Sequence, residues 1–312
     1  MKVVITDCDH PDVTAERRIF GRAGLDVELA DCRTEDDVIA AGPDAVALLT
    51  QYAPVTARVL AGLPRCRAVG RYGTGVDNID VGAARAAGVS LVSVPDYSLE
   101  EVANHTIALI LAVTRGVVRL DAAVHGGHWD FRRAGRLRRA SAQQLGVVGL
   151  GHIGAAVARR ALALGYAVAG YDPVSSAPSG VRAVPLDEVL AGSDIVSLHV
   201  PLTEVTRRMM DDAAFARMRP GSVLVNTARG GLVDTAALAR ALDSGRLAGA
   251  ALDVLDPEPP EADDPVLADA RIIITPHAAF YSEESLAELK RRVAVGLVAA
   301  VRSACTGENR VH

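Results

Sequence analysis

Four ionisable side chains lie in or after apolar runs in the C-terminal half of the sequence. Arg229 follows SVLVNTA, Asp253 and Glu258 belong to GAALDVLDPEP, and His277 follows IIITP. Only the histidine ionises near neutral pH, so His277 is the candidate for proton transfer. Taken singly, each has a structural explanation: a strand cap, a surface arginine or a loop acid. Three consecutive strand ends, however, are where doubly wound sheets bind ligands, so the set indicates a catalytic site.

A glycine-rich turn is the second candidate site. Gly149, Gly151 and Gly154 form G-x-G-x-x-G between a strand-like run, GVV, and a helical pattern, which is the context that a dinucleotide fingerprint requires. The first glycine permits the tight turn, the second lets the backbone approach a pyrophosphate, and the third lets helix and strand pack closely. The anion would lie at the N-terminus of the helix, so His152 and Ile153 join the predicted cofactor contacts.

An acidic residue follows the next strand-like run. Asp172 ends AVAGYD, 18 residues after Gly154. A carboxylate there can accept hydrogen bonds from the ribose hydroxyls of the adenosine and repel a 2′-phosphate. The alternative is an aspartate in a turn at the strand end. We interpret Asp172 as a cofactor ligand, which predicts NAD rather than NADP.

The elements that must position these residues alternate between strands and helices. Short runs rich in Val and Ile, from VVIT to IIIT, are separated by helical patterns, the first three near residues 13–23, 35–41 and 55–61. The runs are continuously apolar rather than alternating, which is typical of strands covered on both faces of a parallel sheet. The sequence therefore predicts an α/β protein with doubly wound sheets.

A strongly apolar helix is predicted at the boundary between two domains. In PDYSLEEVANHTIALILAVTRG, Ser98 and Glu101 match a capping box. Apolar residues lie on most faces of this helix, which predicts burial between domains or subunits. The following segment has a poor pattern and carries five arginines in residues 132–139. We interpret it as a solvated connection.

Composition excludes several classes of protein. The 312 residues are half hydrophobic and carry a formal net charge of −5, which argues against nucleic acid as the main partner. The four cysteines show neither a CxxC pair nor a metal-ligand spacing, so we expect reduced thiols and no metal. The first residues do not resemble a signal peptide, and TIALILAVT is too short to span a bilayer. We expect a cytoplasmic protein whose tail after residue 302 leaves no room for a regulatory domain.

Several motifs together resemble one family. VGLGHIG, NTARGGLVD, ALDVLDPEP and TPHAAFYS match the NAD-dependent D-isomer-specific 2-hydroxyacid dehydrogenases in order and spacing, and GRYGTGVDNID extends the match to residues 70–80. The resemblance covers roughly residues 45–300. NTARGGLVD and TPHAAFYS look most like the C-terminal-binding-protein branch, which includes transcriptional corepressors.

The resemblance implies a role for each charged residue. His277 would be the general acid-base, protonating a carbonyl oxygen as hydride arrives or taking the hydroxyl proton in reverse. Glu258 would orient its ring and favour the protonated form. Arg229 would bind the substrate carboxylate or carbonyl through its planar fork. Asp253 would hold the nicotinamide region of NAD.

The resemblance also implies the walls of the site. Arg71, Gly73, Thr74 and Gly75 would bind the substrate carboxylate from the first domain. Further positions match residues that line the cofactor: Thr106, Val200, Pro201, Thr206 and Thr227. Phe280 stands where the corepressor branch has a tryptophan, so substrate preference cannot be transferred from that branch. Asn104 stands where many relatives have an acid.

We therefore expect two α/β domains, a Rossmann-type cofactor domain and a discontinuous flavodoxin-like substrate domain. The substrate domain would comprise residues 1–98 and a returning helix at 284–312, and residues 99–283 would bind NAD. The resemblance implies a homodimer with the helix at 98–115 near its interface, and no membrane contact. The expected activity interconverts a 2-oxoacid and a D-2-hydroxyacid. The alternative is a corepressor-like interaction protein that senses NAD(H), and the sequence does not identify the substrate.

Overall fold

The computed structural model describes residues 1–306 of the chain. Contacts between residues divide it into two compact units, one formed by Met1–Tyr97 with the chain from Ser282 onward, the other by Ser98–Tyr281. These boundaries differ by one and two residues from the predicted ones. Both units are α/β, with parallel strands throughout, which confirms the predicted fold class.

The first unit is built around a five-stranded parallel sheet. Its strands are β1 (Lys2–Ile5), β2 (Asp26–Leu29), β3 (Ala45–Thr50), β4 (Ala68–Arg71) and β5 (Ser90–Val92). The order β2-β1-β3-β4-β5 is that of flavodoxin-like sheets. Its helices are α1 (Thr14–Arg22), α2 (Glu35–Ala41), α3 (Ala57–Gly62), α4 (Val81–Ala86) and the returning α12 (Glu283–Thr306).

Helix α12 completes the core of the first unit. Leu297 and Val293 are fully buried and lie against Gly70 in β4. A Cβ added at Gly70 would lie 2.7 Å from Cδ1 of Leu297, so only a glycine lets the helix approach the strand this closely. The sheet is thus covered on this side by a segment more than two hundred residues further along the chain.

The second unit contains a seven-stranded parallel sheet. Its strands are β6 (Gln144–Val148), β7 (Ala167–Tyr171), β8 (Arg182–Ala183), β9 (Ile195–Leu198), β10 (Ser222–Asn226), β11 (Leu247–Leu252) and β12 (Ile272–Ile274). The order β12-β11-β10-β9-β6-β7-β8 is that of a Rossmann sheet with one extra strand, and its switch point lies between β6 and β9. Its helices are α5 (Leu99–Arg115), α6 (Val117–His125), α7 (His152–Ala163), α8 (Leu186–Gly192), α9 (Asp212–Arg217), α10 (Thr235–Asp243) and α11 (Pro265–Ala268).

Successive residues of each central strand enter two different apolar cores. Val147 and Val225 pack on one side of the sheet, while Val148 and Leu224 pack on the other. A strand that is buried on both faces has no polar side to alternate with, which explains the continuous apolar runs. The sheet is therefore a rigid support for the loops at its edges.

The region around α5 departs from two expectations. Ser98 precedes the helix, but its side chain makes no capping hydrogen bond to any described residue, so the predicted capping box is wrong. The buried face of α5 packs on α7, β10 and β11 of the same unit, and its place near a subunit interface stays a prediction. The segment interpreted as a connection contains α6 and a short 3₁₀ turn, Phe131–Ala134, and the nine residues of α6 are all exposed or half-buried.

Two further observations concern the chain as a whole. Within residues 1–306, the structure contains no helix with the length and apolar character needed to cross a bilayer. Cys8, Cys32 and Cys66 are free thiols, and the side chain of Cys305 lies outside the described part of the chain.

Candidate active site

The carboxyl ends of five adjacent strands of the second unit carry most of the predicted site residues. The glycine turn follows β6, and Val200 and Pro201 follow β9. Strand β10 leads to Arg229, β11 to Glu258, and β12 to His277. Since neighbouring parallel strands end at the same edge of a sheet, the topology gathers these side chains although they are spread over 129 positions, from 149 to 277.

His277 and Glu258 form a short hydrogen-bonded pair. Nδ1 of His277 lies 2.6 Å from Oε2 of Glu258, and the backbone N–H of Leu255 donates to Oε1 of the same carboxylate at 2.9 Å. Their side chains are 39% and 33% exposed, so the pair is accessible to a small molecule. A carboxylate on Nδ1 leaves Nε2 as the nitrogen that can exchange a proton with a ligand.

The pKa of Glu258 is lowered although its surroundings also act in the opposite direction. Partial burial raises the pKa of this carboxyl, but the hydrogen bond and charge of His277, the N–H of Leu255 and the positive charge of Arg229 together bring it below its usual value. Glu258 is therefore ionised at neutral pH. The same interaction shows that Arg229 lies near the pair, so the structure brings all three charged candidates together.

Arg229 is held by its own turn. It precedes the 3₁₀ turn Gly230–Leu232, its carbonyl oxygen accepts a hydrogen bond from Nδ2 of Asn226 at 2.8 Å, and its Nη1 donates to the carbonyl of Ala228 at 2.7 Å. A Cβ at Gly230 would overlap the backbone of Leu255, so the turn lies directly against the segment that joins β11 to Glu258. This close approach requires a glycine at position 230.

Asp253 is enclosed by the loop that carries His277. Its side chain is fully buried, and its two oxygens accept hydrogen bonds from the hydroxyl of Thr275 and the backbone N–H groups of Ala278 and Ala279. All of these contacts are with the loop at 275–279. A contact between this carboxylate and a nicotinamide would require the side chain to become accessible, and it stays a prediction.

The three glycines of the dinucleotide turn are distinguished by their surroundings. A Cβ at Gly149 would overlap the carbonyl of His199, and a Cβ at Gly154 would overlap the carbonyl of Gly149. A Cβ at Gly151 would meet nothing within 4 Å in the described chain. Gly151 thus leaves space in front of the first turn of α7, where His152 and Ile153 lie, as a pyrophosphate on this backbone requires. The local geometry fits a dinucleotide.

Asp172 follows β7 and contacts the same turn through Leu150. One carboxylate oxygen accepts the N–H of Leu150 at 2.7 Å, and the other accepts those of Val174 and Ser175 at 2.8 and 2.7 Å. Burial raises the pKa of Asp172, yet these backbone donors lower it below its usual value, so the carboxylate is charged. Its partial exposure leaves it available to a ligand.

The other predicted cofactor contacts fall into two groups. Thr106 of α5 and Thr227 after β10 are buried, with hydroxyl oxygens 2.8 Å apart. The hydroxyl of Thr206 donates to the carbonyl of Pro201 at 2.6 Å, which stabilises the loop after β9 next to Val200. Both groups lie at the carboxyl edge of the sheet, near the turn after β6.

The predicted substrate residues belong to two units. Arg71 ends β4 of the first unit and lies over Gly73, whose φ of +134° suits only a glycine. Thr74 is exposed, Gly75 is half-buried, and the Thr74 hydroxyl is 3.4 Å from the carbonyl of Val94. In the second unit, the ring of Phe280 lies edge-on to His277, with centroids 6.3 Å apart.

Sequence reasoning did not single out two other histidines of the second unit. His199, after β9, is half-buried with Nε2 2.9 Å from the hydroxyl of Ser197, and desolvation of its ring lowers its pKa to about 4, so it is neutral. Nε2 of His105 in α5 lies 3.1 Å from the hydroxyl of Thr275. His199 could have been suspected from its place beside a buried strand, but the contact between His105 and Thr275 has no local signature.

Comparison with known proteins points to one family. Residues 107–279 match the family described as D-isomer specific 2-hydroxyacid dehydrogenase, NAD binding domain. D-3-phosphoglycerate dehydrogenase of Mycobacterium tuberculosis is 39% identical over 289 residues, which cover 91% of this chain and 54% of that protein. Glyoxylate reductase of Korarchaeum cryptofilum is 40% identical over 264 residues, covering 82% of this chain and 79% of the reductase.

A solved structure extends the similarity to the whole chain. D-lactate dehydrogenase from Aquifex aeolicus, complexed with NAD and lactic acid, superposes with a TM-score of 0.85 at 30% identity, covering 98% of this chain and 96% of that one. The chain spans about half the length of the phosphoglycerate dehydrogenases that it matches. These relatives are named as dehydrogenases and reductases, so they give the corepressor branch no specific support.

Proposed function

The chain belongs to the D-isomer specific 2-hydroxyacid dehydrogenase family, and from this premise we propose that it interconverts a 2-oxoacid and a D-2-hydroxyacid with NAD as the hydride carrier. The observation that carries the proposal is the 2.6 Å contact between Nδ1 of His277 and Glu258, which leaves Nε2 directed away from the carboxylate. A histidine with this partner can act as acid in one direction and as base in the other.

The proposed mechanism assigns the proton to His277. NADH supplies the hydride when it is bound. As the carbonyl carbon is reduced, its oxygen gains negative charge, and the protonated imidazole donates the Nε2 proton to that oxygen. In the oxidative direction, the neutral ring takes the hydroxyl proton at the same nitrogen. Glu258 remains ionised through both steps and stabilises the imidazolium, because its pKa is lowered in the folded protein.

Arg229 is proposed to bind the acid group of the substrate. Its guanidinium carries a permanent charge and presents two parallel N–H groups, which match a carboxylate or the carboxylate and carbonyl of a 2-oxoacid. Its influence on Glu258 supports a place beside the acid-base pair. In the first unit, Arg71 and the backbone N–H groups of Gly73, Thr74 and Gly75 remain predicted carboxylate ligands. Phe280, beside the His277 ring, would limit the size of the substrate side chain.

The cofactor is proposed to lie across the carboxyl edge of the seven-stranded sheet. The space in front of Gly151 and the first turn of α7 would take the pyrophosphate, and Asp172 would accept the ribose hydroxyls. Thr106, Thr227 and the loop of Val200, Pro201 and Thr206 would line the nicotinamide half. The charge on Asp172 supports NAD over NADP.

We also propose a homodimer that uses the surface of α6. Large apolar side chains are exposed in and just after this helix: Val117, Val118, Val124, Trp129 and Phe131. Five exposed apolar side chains within fifteen residues favour association through this segment. Sedimentation equilibrium of the wild type and of Trp129→Ser with Phe131→Ser would test it, since loss of the apolar surface should shift the mass from dimer to monomer.

A panel of 2-oxoacids tests the proposed activity. NADH oxidation is measured with pyruvate, glyoxylate, hydroxypyruvate and longer 2-oxoacids, for the wild type and for His277→Ala. We expect turnover with at least one acid, and a loss of about 10²–10⁴ in kcat for the variant with NADH binding retained. Arg18→Ala is the control, since Arg18 is exposed on α1 and has no proposed role. Near-normal turnover in His277→Ala, or none in the wild type with any acid, would contradict the proposal.

A further inference from the structure

We propose that His105 of α5 is a positioning residue for His277 and acts on it through Thr275 and Asp253. The inference rests on the proposed function, because it concerns the residue that moves the proton. It arises from a chain of hydrogen bonds that joins a side chain of α5 to the loop after β12, and none of its links involves the contact between His277 and Glu258.

The backbone at His277 needs support. Its φ is +52°, a left-handed conformation that is unfavourable for a residue with a Cβ. Such a conformation persists where the surroundings over-determine it. Here the N–H of His277 donates to the backbone carbonyl of Asp253 at 2.7 Å, and the next two N–H groups, of Ala278 and Ala279, donate to the two oxygens of its carboxylate, each at 2.9 Å. One aspartate thus fixes three consecutive residues.

The position of that carboxylate depends in turn on Thr275. The Thr275 hydroxyl donates to Oδ1 of Asp253 at 2.6 Å. A hydroxyl has a single hydrogen, so with that hydrogen directed to the carboxylate, Oγ1 of Thr275 can only accept from its other neighbour. Nε2 of His105 lies 3.1 Å from Oγ1 and 3.5 Å from Oδ1 of Asp253. The imidazole must therefore carry hydrogen on Nε2 and donate it.

This arrangement orients every member of the chain. The Nε2–H of His105 occupies the accepting side of Thr275, which directs the hydroxyl hydrogen to Asp253, and Asp253 then holds the backbone on both sides of the His277 side chain. The carboxylate of Asp253 is fully buried, so water cannot replace a lost donor without rearrangement. Removing the donor on α5 should loosen the 275–279 loop and move the His277 ring relative to its substrate.

The chemistry of His105 excludes direct proton transfer as its role here. Nε2 keeps its hydrogen in both the neutral and the protonated ring, since protonation adds the second hydrogen at Nδ1. The donor to Thr275 is thus present in either state. Glutamine can place an amide N–H close to the position of Nε2 and does not titrate, so His105→Gln should preserve the network and the pH dependence.

The first test compares His105→Leu with His105→Gln in the full chain, using the 2-oxoacid that the wild type reduces fastest. We expect His105→Leu to lower kcat by about 10- to 100-fold, the cost of a small misplacement of a catalytic group, with KM for NADH within about twofold of the wild type. His105→Gln should recover most of kcat. Arg18→Leu, at an exposed position of α1, is the control. Equal losses in the leucine and glutamine variants would overturn the proposal, as would an altered pH profile in the glutamine variant.

The second test asks whether His105 acts through Thr275. In a double-mutant cycle with Thr275→Val, the double variant should lose no more kcat than Thr275→Val alone. Losses that multiply would show two independent effects and overturn the proposal. Amide hydrogen exchange in a peptide spanning 275–281 needs no substrate and should be faster in His105→Leu than in the wild type and His105→Gln. An inactive wild type would thus refute the proposed function, while unchanged exchange in His105→Leu would refute this inference alone.

Discussion

The carboxylate of Glu258 meets Nδ1 of His277 at 2.6 Å while its other oxygen is held by a backbone N–H, so the carboxylate can serve the imidazole only as an acceptor. Because the pKa of Glu258 is lowered in the folded protein, the interaction is fully present above the usual range for a glutamate and is lost as the pH falls through the lowered value. Within the neutral range, Glu258 is a fixed negative charge.

Glu258→Gln should shift both pH–rate profiles to lower pH. The Gln oxygen is required by the N–H of Leu255, so its NH₂ group faces Nδ1 and disfavours the protonated ring. Reduction needs the protonated imidazole, so its rate should fall at a lower pH than in the wild type. Oxidation needs the neutral ring, so its optimum should move the same way. The measurement is a pair of profiles in each direction, with the chemical step shown to limit the rate.

Glu261→Gln is the matched control for that experiment. Glu261 is an exposed acid in the same loop, so its variant should leave both profiles in place. If the pH–rate profile of the reduction is the same in Glu258→Gln as in the wild type, Glu258 is not the electrostatic partner of His277.

Arg229→Lys should lower kcat/KM for the oxoacid more than kcat/KM for NADH. Lysine keeps the charge but not the planar pair of N–H groups. Loss of a charge-assisted hydrogen bond predicts a fall in kcat/KM for the oxoacid of about 10- to 100-fold. Arg240→Lys, at an exposed ion pair with Asp212, should have no such effect. A variant in which KM for NADH rises and that for the oxoacid does not would assign Arg229 to the cofactor.

Gly151→Ala should weaken the binding of NADH, whereas Gly154→Ala should lower the stability of the fold. A methyl group at Gly154 would overlap the carbonyl of Gly149, so this variant should unfold at a Tm at least about 3 °C lower. A methyl group at Gly151 meets no described protein atom within 4 Å, so Tm should be unchanged while the Kd for NADH rises about 10-fold or more, as expected for an overpacking cost of about 1–3 kcal/mol. Normal NADH binding by Gly151→Ala would place the pyrophosphate elsewhere.

Asp172 should make the enzyme prefer NADH over NADPH. Its ionised carboxylate would face the 2′-phosphate, and a like-charge contact that costs a few kcal/mol gives a preference in kcat/KM of about 10²-fold or more. Asp172→Ala should lower the ratio of kcat/KM with NADH to kcat/KM with NADPH. Asp187→Ala, at an exposed ion pair on α8, should leave this ratio unchanged. A wild type that prefers NADPH would refute the role of Asp172.

The strands and the glycine turn were predictable because their causes are local. AVALLT is buried at all six positions of β3, and the apolar run itself indicates a strand covered on both faces. Helix α6 was not predicted, since it buries none of its described side chains and its exposed apolar residues, Val117, Val118 and Val124, do not mark a side that faces the core. The two-residue strand β8 is exposed at the edge of the sheet and left no pattern at all.

The hydrogen bonds that hold the loop of the candidate site were not predictable either. His105 and Thr275 are 170 positions apart, and a hydrogen bond between side chains of different elements leaves no periodic trace in the sequence. The hydrogen-bond partners of Asp253 were not predictable from the sequence either. Its motif indicates an acid at a strand end, but the sequence cannot show that backbone N–H groups of the 275–279 loop occupy the carboxylate.

The way α12 returns to β4 has a consequence for synthesis on the ribosome. Residues 98–281 form a contiguous unit that can fold once it has emerged, whereas the sheet that begins at Lys2 lacks Val293 and Leu297 until α12 has also been made. Domains generally fold in the order in which they emerge, but here we expect the sheet that is translated before residues 98–281 to complete its structure after them. Until α12 has emerged, the apolar face around Gly70 is uncovered.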